Sequence, residues 1–215
     1  MMAQQNSNQV YVIGSQFVAP YPIDIIVDTN SSGKFVVTDS NNKILLKVKP
    51  CNSTLHHQRL LLDAHDRPIL KLRDKIMSKH SRWNAFWGKS KADSDLVFST
   101  KTPNIIQFRK SLHVFLANKT SNKDVCDFKI KGSWSKKTCT VYMGDSSTII
   151  AQMHKMQKSK KVKSPKGRFM MTIHQNVDYA FVIALIAIIH AMKSTEDEYA
   201  EAMTTSVAQV ISATA

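Results

Sequence analysis

One apolar run near the end of the chain limits what it can fold into. From Tyr179 to Ile189 every side chain is apolar, and the run extends to Met192 if His190 is included. Phe181, Val182, Ile183, Leu185, Ile186, Ile188 and Ile189 leave no polar stripe on a helix drawn through them. A helix lying on a protein surface keeps such a stripe, so this one needs protein on all sides. A helix over residues 179–192 reaches only ~21 Å, short of the ~30 Å hydrocarbon core of a bilayer. Length therefore favours an internal helix at 177–192 over a membrane span. Asn176 is the expected N-cap, with Asp178 in the first turn near the positive end of the helix dipole.

The rest of the chain reads as strands. "KILLKVK" places Ile44, Leu46 and Val48 on one face and Lys43, Lys47 and Lys49 on the other. "LKLR" (70–73), "DFKIKGSW" (127–134) and "RFMMTI" (168–173) repeat that period of two, which marks strands with one buried and one wet face. Turn-forming stretches at 39–43, 63–68, 88–95, 118–124 and 144–147 separate the runs, giving about ten to twelve strands joined mostly as hairpins. So long a meander needs closure to hide its edges, and an all-round apolar helix needs enclosure. A sheet closed around the helix satisfies both.

"APYPIDIIV", "GKFVVTDSNNKILLKVK", "LLLDAHDRPILKLRDKIMSKHSRWNAF", "CDFKIKGSW" and "QNVDYAFVIALI" together resemble the LURP-one-related family of plant proteins, over roughly residues 19–190. The resemblance implies the tubby C-terminal-like fold, an all-β, closed antiparallel barrel of twelve strands around a central hydrophobic C-terminal helix. It also implies kinship with phospholipid scramblases and with tubby-like, membrane-tethered transcription regulators, and some family members are linked to plant defence. The expected organisation is a flexible tail over 1–16, a barrel domain over 17–193 and an acidic tail over 194–215, helical or disordered. A capping box from Thr195 to Glu198 is a candidate helix start in that last segment.

Charge points to polyanions. The chain carries 30 Lys+Arg against 16 Asp+Glu, a formal net charge of +14. That balance favours an anionic membrane surface, nucleic acid or an acidic protein as partner. The densest cluster is "KMQKSKKVKSPKGRF" (155–169), where Lys155, Lys158, Lys160, Lys161, Lys163, Lys166 and Arg168 occur without an acidic residue. Ser159, Ser164, Pro165 and Gly167 make it a loop. Near an anionic bilayer each such cation is worth about 1 kcal/mol; a solvated hairpin tip without a dedicated partner is the plain alternative. A smaller patch comes from Lys71, Arg73, Lys75, Lys79 and Arg82. Tubby proteins hold phosphoinositide head groups with a Lys and an Arg on the barrel surface, and Lys71–Leu72–Arg73 has a compatible spacing on one strand face.

Anionic phospholipid head groups are thus the first expected partner, with protein partners besides. The alternative is a nuclear, nucleic-acid-associated role for the 155–168 loop, in which "KKVK" (160–163) also matches a nuclear-import signal. That role lacks a recognition helix, a zinc finger or an RNP-type aromatic pattern. The expected location is intracellular, in cytoplasm, nucleus or peripherally on a membrane.

Signals for catalysis are weak. "GDSS" (144–147) lies between two strand runs and reads as a hairpin turn. His56, His57, His65 and Asp66 lack the spacing of a metal site, and no nucleotide loop occurs. No enzymatic activity, cofactor or metal is expected. Cys126 and Cys139 read as small core residues, Cys51 adds no pair, and Trp83, Trp87 and Trp134 read as core or rim packing.

Overall fold

The computed structural model describes residues 9–30, 32–51, 57–75, 82–103, 111–118, 125–156 and 167–213; side chains in the helix beyond Thr195 are described only at Thr204. Twelve strands follow in chain order: β1 (Ile23–Thr29), β2 (Phe35–Thr38), β3 (Ile44–Cys51), β4 (Gln58–Asp63), β5 (Pro68–Asp74), β6 (Arg82–Trp87), β7 (Leu96–Lys101), β8 (Ser111–Leu116), β9 (Phe128–Lys131), β10 (Thr140–Met143), β11 (Ile149–Lys155) and β12 (Arg168–Ile173). Each pairs antiparallel with its neighbours in sequence, and β1 pairs with β12 (Ile25 opposite Met171), so the meander closes into a barrel. Closure gives every strand two hydrogen-bonded flanks and removes the edge problem.

The alternation in the sequence becomes inside and outside. Leu46, Val48, Leu70, Leu72, Phe169, Met171 and Ile173 are fully buried, and the residues between them face outward. Ile44 departs from this pattern: a register shift between Val37 and Thr38 breaks the pairing of β2 with β3, and Ile44 is exposed. Two hairpins use the same turn chemistry. The Asp39 carboxylate accepts from the N–H groups of Asn41 and Lys43, and Asp63 accepts from those of His65 and Arg67. The left-handed third positions fall on Asn42 and Asp66, polar residues that tolerate that conformation. "GDSS" is likewise the hairpin between β10 and β11.

One helix, α1 (Tyr179–Ala213), fills the barrel and continues past it. From Ala180 through Ile188 its side chains are at most 1% exposed. Phe181 meets Phe98 edge-on at 5.4 Å and Phe128 at 4.9 Å, contacts that fix its rotation. The helix begins differently from expectation. Asn176 is left-handed, with φ 60°, and ends a turn; Asp178 is the cap, its Oδ1 accepting the Phe181 N–H at 3.0 Å. Nor does a new helix start at Thr195: α1 runs through it without a break, and the Thr195 hydroxyl donates to the Ala191 carbonyl at 3.1 Å.

The amino-terminal segment also departs from the expected tail over 1–16. Val10 and Ile13 are buried, and Val10 exchanges backbone hydrogen bonds with Asn176 and Asp178. Residues 10–17 thus cover the end of the barrel where α1 enters, and Phe17 packs edge-on against Tyr179 at 5.6 Å. Sequence pattern hid this, because the anchoring groups are backbone N–H donors facing one buried carboxylate.

Candidate anion-binding surface

Strand β5 positions the first candidate pair. Leu70 and Leu72 point into the barrel, so Lys71 and Arg73 both project from the outer wall. The loop between β6 and β7 folds against the same wall, and Lys71 Nζ donates to the Lys89 carbonyl at 3.1 Å. That contact brings Lys89 and Lys91, both exposed, into the neighbourhood of Lys71 and Arg73. Partial burial lowers the Lys71 pKa, and the positive charges of Lys91, Arg73 and Lys89 lower it further. Cys51 lies beside the cluster with its thiol pushed up by burial. Asp95 in the same loop is engaged by the Ser90 hydroxyl at 2.6 Å. The arrangement is a group of like charges held close together, which an oligoanion would relieve.

Several basic residues elsewhere on the barrel pair with carboxylates. Lys47 and Lys49 converge on Asp66 at 2.8 and 2.7 Å and hold its carboxyl at about 2. Arg67 pairs with Asp63, and Lys129 with Asp145. Arg168, the last cation of the predicted basic loop, faces Asp28 across the β1–β12 pair at 3.4 Å. Lys158, Lys160, Lys161, Lys163 and Lys166 lie outside the described residues, as does Lys79 of the smaller patch. Of the predicted anion-binding residues, the structure therefore brings together Lys71 and Arg73 and sets Arg168 against a carboxylate. Lys89 and Lys91 were missed because they stand in a stretch read only as a turn; no periodicity announces a loop that folds back onto the outer wall of a neighbouring strand.

A second polar region lies where α1 leaves the barrel. Trp134 stacks parallel to Phe35 at 6.5 Å and meets Phe169 and His190 edge-on at 5.3 and 5.2 Å. Lys137 Nζ sits 3.5 Å above the Trp134 ring, and burial pushes its pKa down to about 8. His190 is held at about 4, chiefly by burial and then by the charges of Arg59 and Lys137. Burial likewise pushes the Cys139 thiol up to about 11, away from the thiolate form. Trp83 is a core residue as expected, Trp134 packs at the rim, and Trp87 is 43% exposed beside the β6–β7 loop. Among the described residues no group of three or more metal-ligating side chains forms, and no helix is long and apolar enough to cross a membrane.

Comparison with known proteins fits this architecture. The LURP-one-related family profile matches residues 26–190. Protein LURP-one-related 10 of Arabidopsis thaliana is 41% identical over 87% of this chain and 98% of its own length. Protein LURP1 of the same plant is 40% identical over 83% of this chain and 87% of its own. An X-ray structure of an Arabidopsis thaliana protein superposes with a TM-score of 0.66 at 36% identity, covering 85% of this chain and 98% of the other. With its strand pattern, its closed barrel and these matches in agreement, the chain belongs to the LURP-one-related family.

Proposed function

We propose that this protein is a non-catalytic adaptor that binds anionic phospholipid head groups, phosphoinositides foremost, on the outer wall of β5 and the β6–β7 loop. The observation that carries this reading is the convergence of Lys71, Arg73, Lys89 and Lys91 on one patch. Phosphate esters on an inositol ring match several cations at fixed spacing, with Arg73 supplying a planar donor fork and the lysines point charges. Trp87, exposed two residues before Lys89, adds an aromatic side chain of the kind that settles at a membrane–water interface. The basic stretch through Lys158, Lys160, Lys161, Lys163 and Lys166 contributes further, non-specific attraction. The same reading extends to kinship with scramblases and tubby-like regulators and to a place in plant defence, as the family resemblance implies.

Liposome co-sedimentation tests the proposal. Purified protein meets neutral, phosphatidylserine-containing and phosphoinositide-containing vesicles at two salt concentrations, with duplex DNA alongside. The expected result is phosphoinositide binding that survives moderate salt, weakens at least tenfold in Lys71→Ala/Arg73→Ala, and falls less in Lys160→Ala/Lys161→Ala/Lys163→Ala. Equal, salt-labile binding to every polyanion would overturn it. Tighter binding to DNA than to any vesicle would favour a nucleic-acid role.

A further inference from the structure

Where α1 leaves the barrel, a cavity of about 210 Å³ opens between the ends of β8 and β9, the 132–139 hairpin and the last buried turn of the helix. It is larger than the roughly 150 Å³ engineered cavity that takes up benzene. The cavity is two-sided in chemistry. Its floor is apolar, built from Leu112, Ile130, Trp134, Ile189 and Met192. Its rim carries the hydroxyls of Ser111, Ser133 and Ser135 and the cations Lys131 and Lys193, and no carboxylate lines it among the described residues.

Two details point to a ligand. The Ser111 hydroxyl is buried and has no hydrogen-bond partner among the described residues, a cost a native protein rarely carries without a use. Lys131 is exposed, and among the described residues its ammonium makes a 5.8 Å approach to the Tyr142 ring and no ion pair. An open hydroxyl donor and a cation thus stand over an apolar hollow, an arrangement suited to one acidic group on a compact hydrophobic body. The floor itself offers no competing charge, since Cys139 stays a thiol and the neighbouring His190 stays neutral at pH 7.

We propose that this cavity binds a small amphipathic organic carboxylate. The apolar body lies against Trp134, Ile189 and Met192, and the carboxylate accepts from the Ser111 hydroxyl and pairs with Lys131. Because Ile189 and Met192 belong to α1, occupancy bears on the turn from which the helix continues beyond the barrel. The site is separate from the Lys71 patch, so either can fail alone.

The test uses the full chain and 1-naphthoate as probe, followed by isothermal titration calorimetry, with 1-naphthalenemethanol as its uncharged counterpart. Expected are saturable one-site binding of the carboxylate, at least tenfold weaker binding of the alcohol, and a three- to tenfold loss in both Ser111→Ala and Lys131→Met. Met192→Trp, which fills the hollow, should abolish binding while circular dichroism stays unchanged. Should that variant not fold, the two rim variants decide. No saturable binding, equal affinity for acid and alcohol, or binding indifferent to the rim variants would overturn the proposal.

Discussion

The Asp178 carboxylate accepts the Ile13 N–H at 2.7 Å, joining two residues at opposite ends of the sequence. The same Oδ2 accepts from Gly14 at 3.1 Å, while Oδ1 caps α1 through Phe181. One buried carboxylate therefore starts the internal helix and ties the amino-terminal segment over the barrel mouth. Burial pushes its pKa up, and the four backbone donors around it offset that cost.

Asp178→Ala should cost about 3 kcal/mol, because it orphans buried N–H groups and removes the helix cap together. Truncation before Ser15 should destabilise comparably, by leaving the carboxylate buried without its partners. Urea unfolding of both variants measures this. A loss under about 0.5 kcal/mol in both would mean that the anchor contributes nothing.

Ile186 is 0% exposed in the barrel-enclosed part of α1. Ile186→Asp places an uncompensated charge inside the barrel and should cost more than about 4 kcal/mol, enough to prevent folding of most domains. Thermal unfolding followed by circular dichroism reads the result. Retention of the native melting temperature would contradict an enclosed helix.

Gly132 stands at φ 123°, and a Cβ there would come within 2.2 Å of the Thr138 carbonyl oxygen. The tight crossing presents Trp134 to Phe35 and His190. Gly132→Ala should cost about 2–3 kcal/mol and disturb the tryptophan environment. Near-ultraviolet circular dichroism and chemical denaturation check both effects.

His190 gives the fold a dependence on pH. In the unfolded chain its imidazole takes up a proton near pH 6.5, in the folded protein only near 4. Between those values the unfolded state binds more protons, so stability is present above about pH 6.5 and is lost as pH falls toward 4. The loss should reach roughly 2 kcal/mol after allowance for partial exposure. His190→Phe should flatten that part of the stability curve relative to the parent chain. Parallel slopes in the two proteins would show that His190 is not the group responsible.

Period-two runs such as Leu70–Arg73 and Phe169–Ile173 placed the strands, because a half-buried strand cannot avoid that pattern. The all-apolar run from Tyr179 announced its enclosure for the same kind of reason. Backbone anchoring was invisible: nothing in the side chains of Val12, Ile13 and Gly14 shows that their N–H groups meet Asp178. The candidate surface was half legible. Lys71 and Arg73 share a strand face at alternate positions, whereas Lys89 and Lys91 join them through the way a loop folds back. The cavity beside Trp134 arises from residues far apart in sequence, and no local motif marks it.

The central claim is a head-group site on the wall of β5. The most direct measurement is a titration of the ¹⁵N-labelled protein with soluble inositol 1,4,5-trisphosphate, followed by amide chemical shifts. The account predicts saturable shifts centred on residues 71–73 and 88–91, absent in Lys71→Ala/Arg73→Ala. Shifts confined to the 157–166 stretch, or no saturable shift at moderate salt, would contradict it.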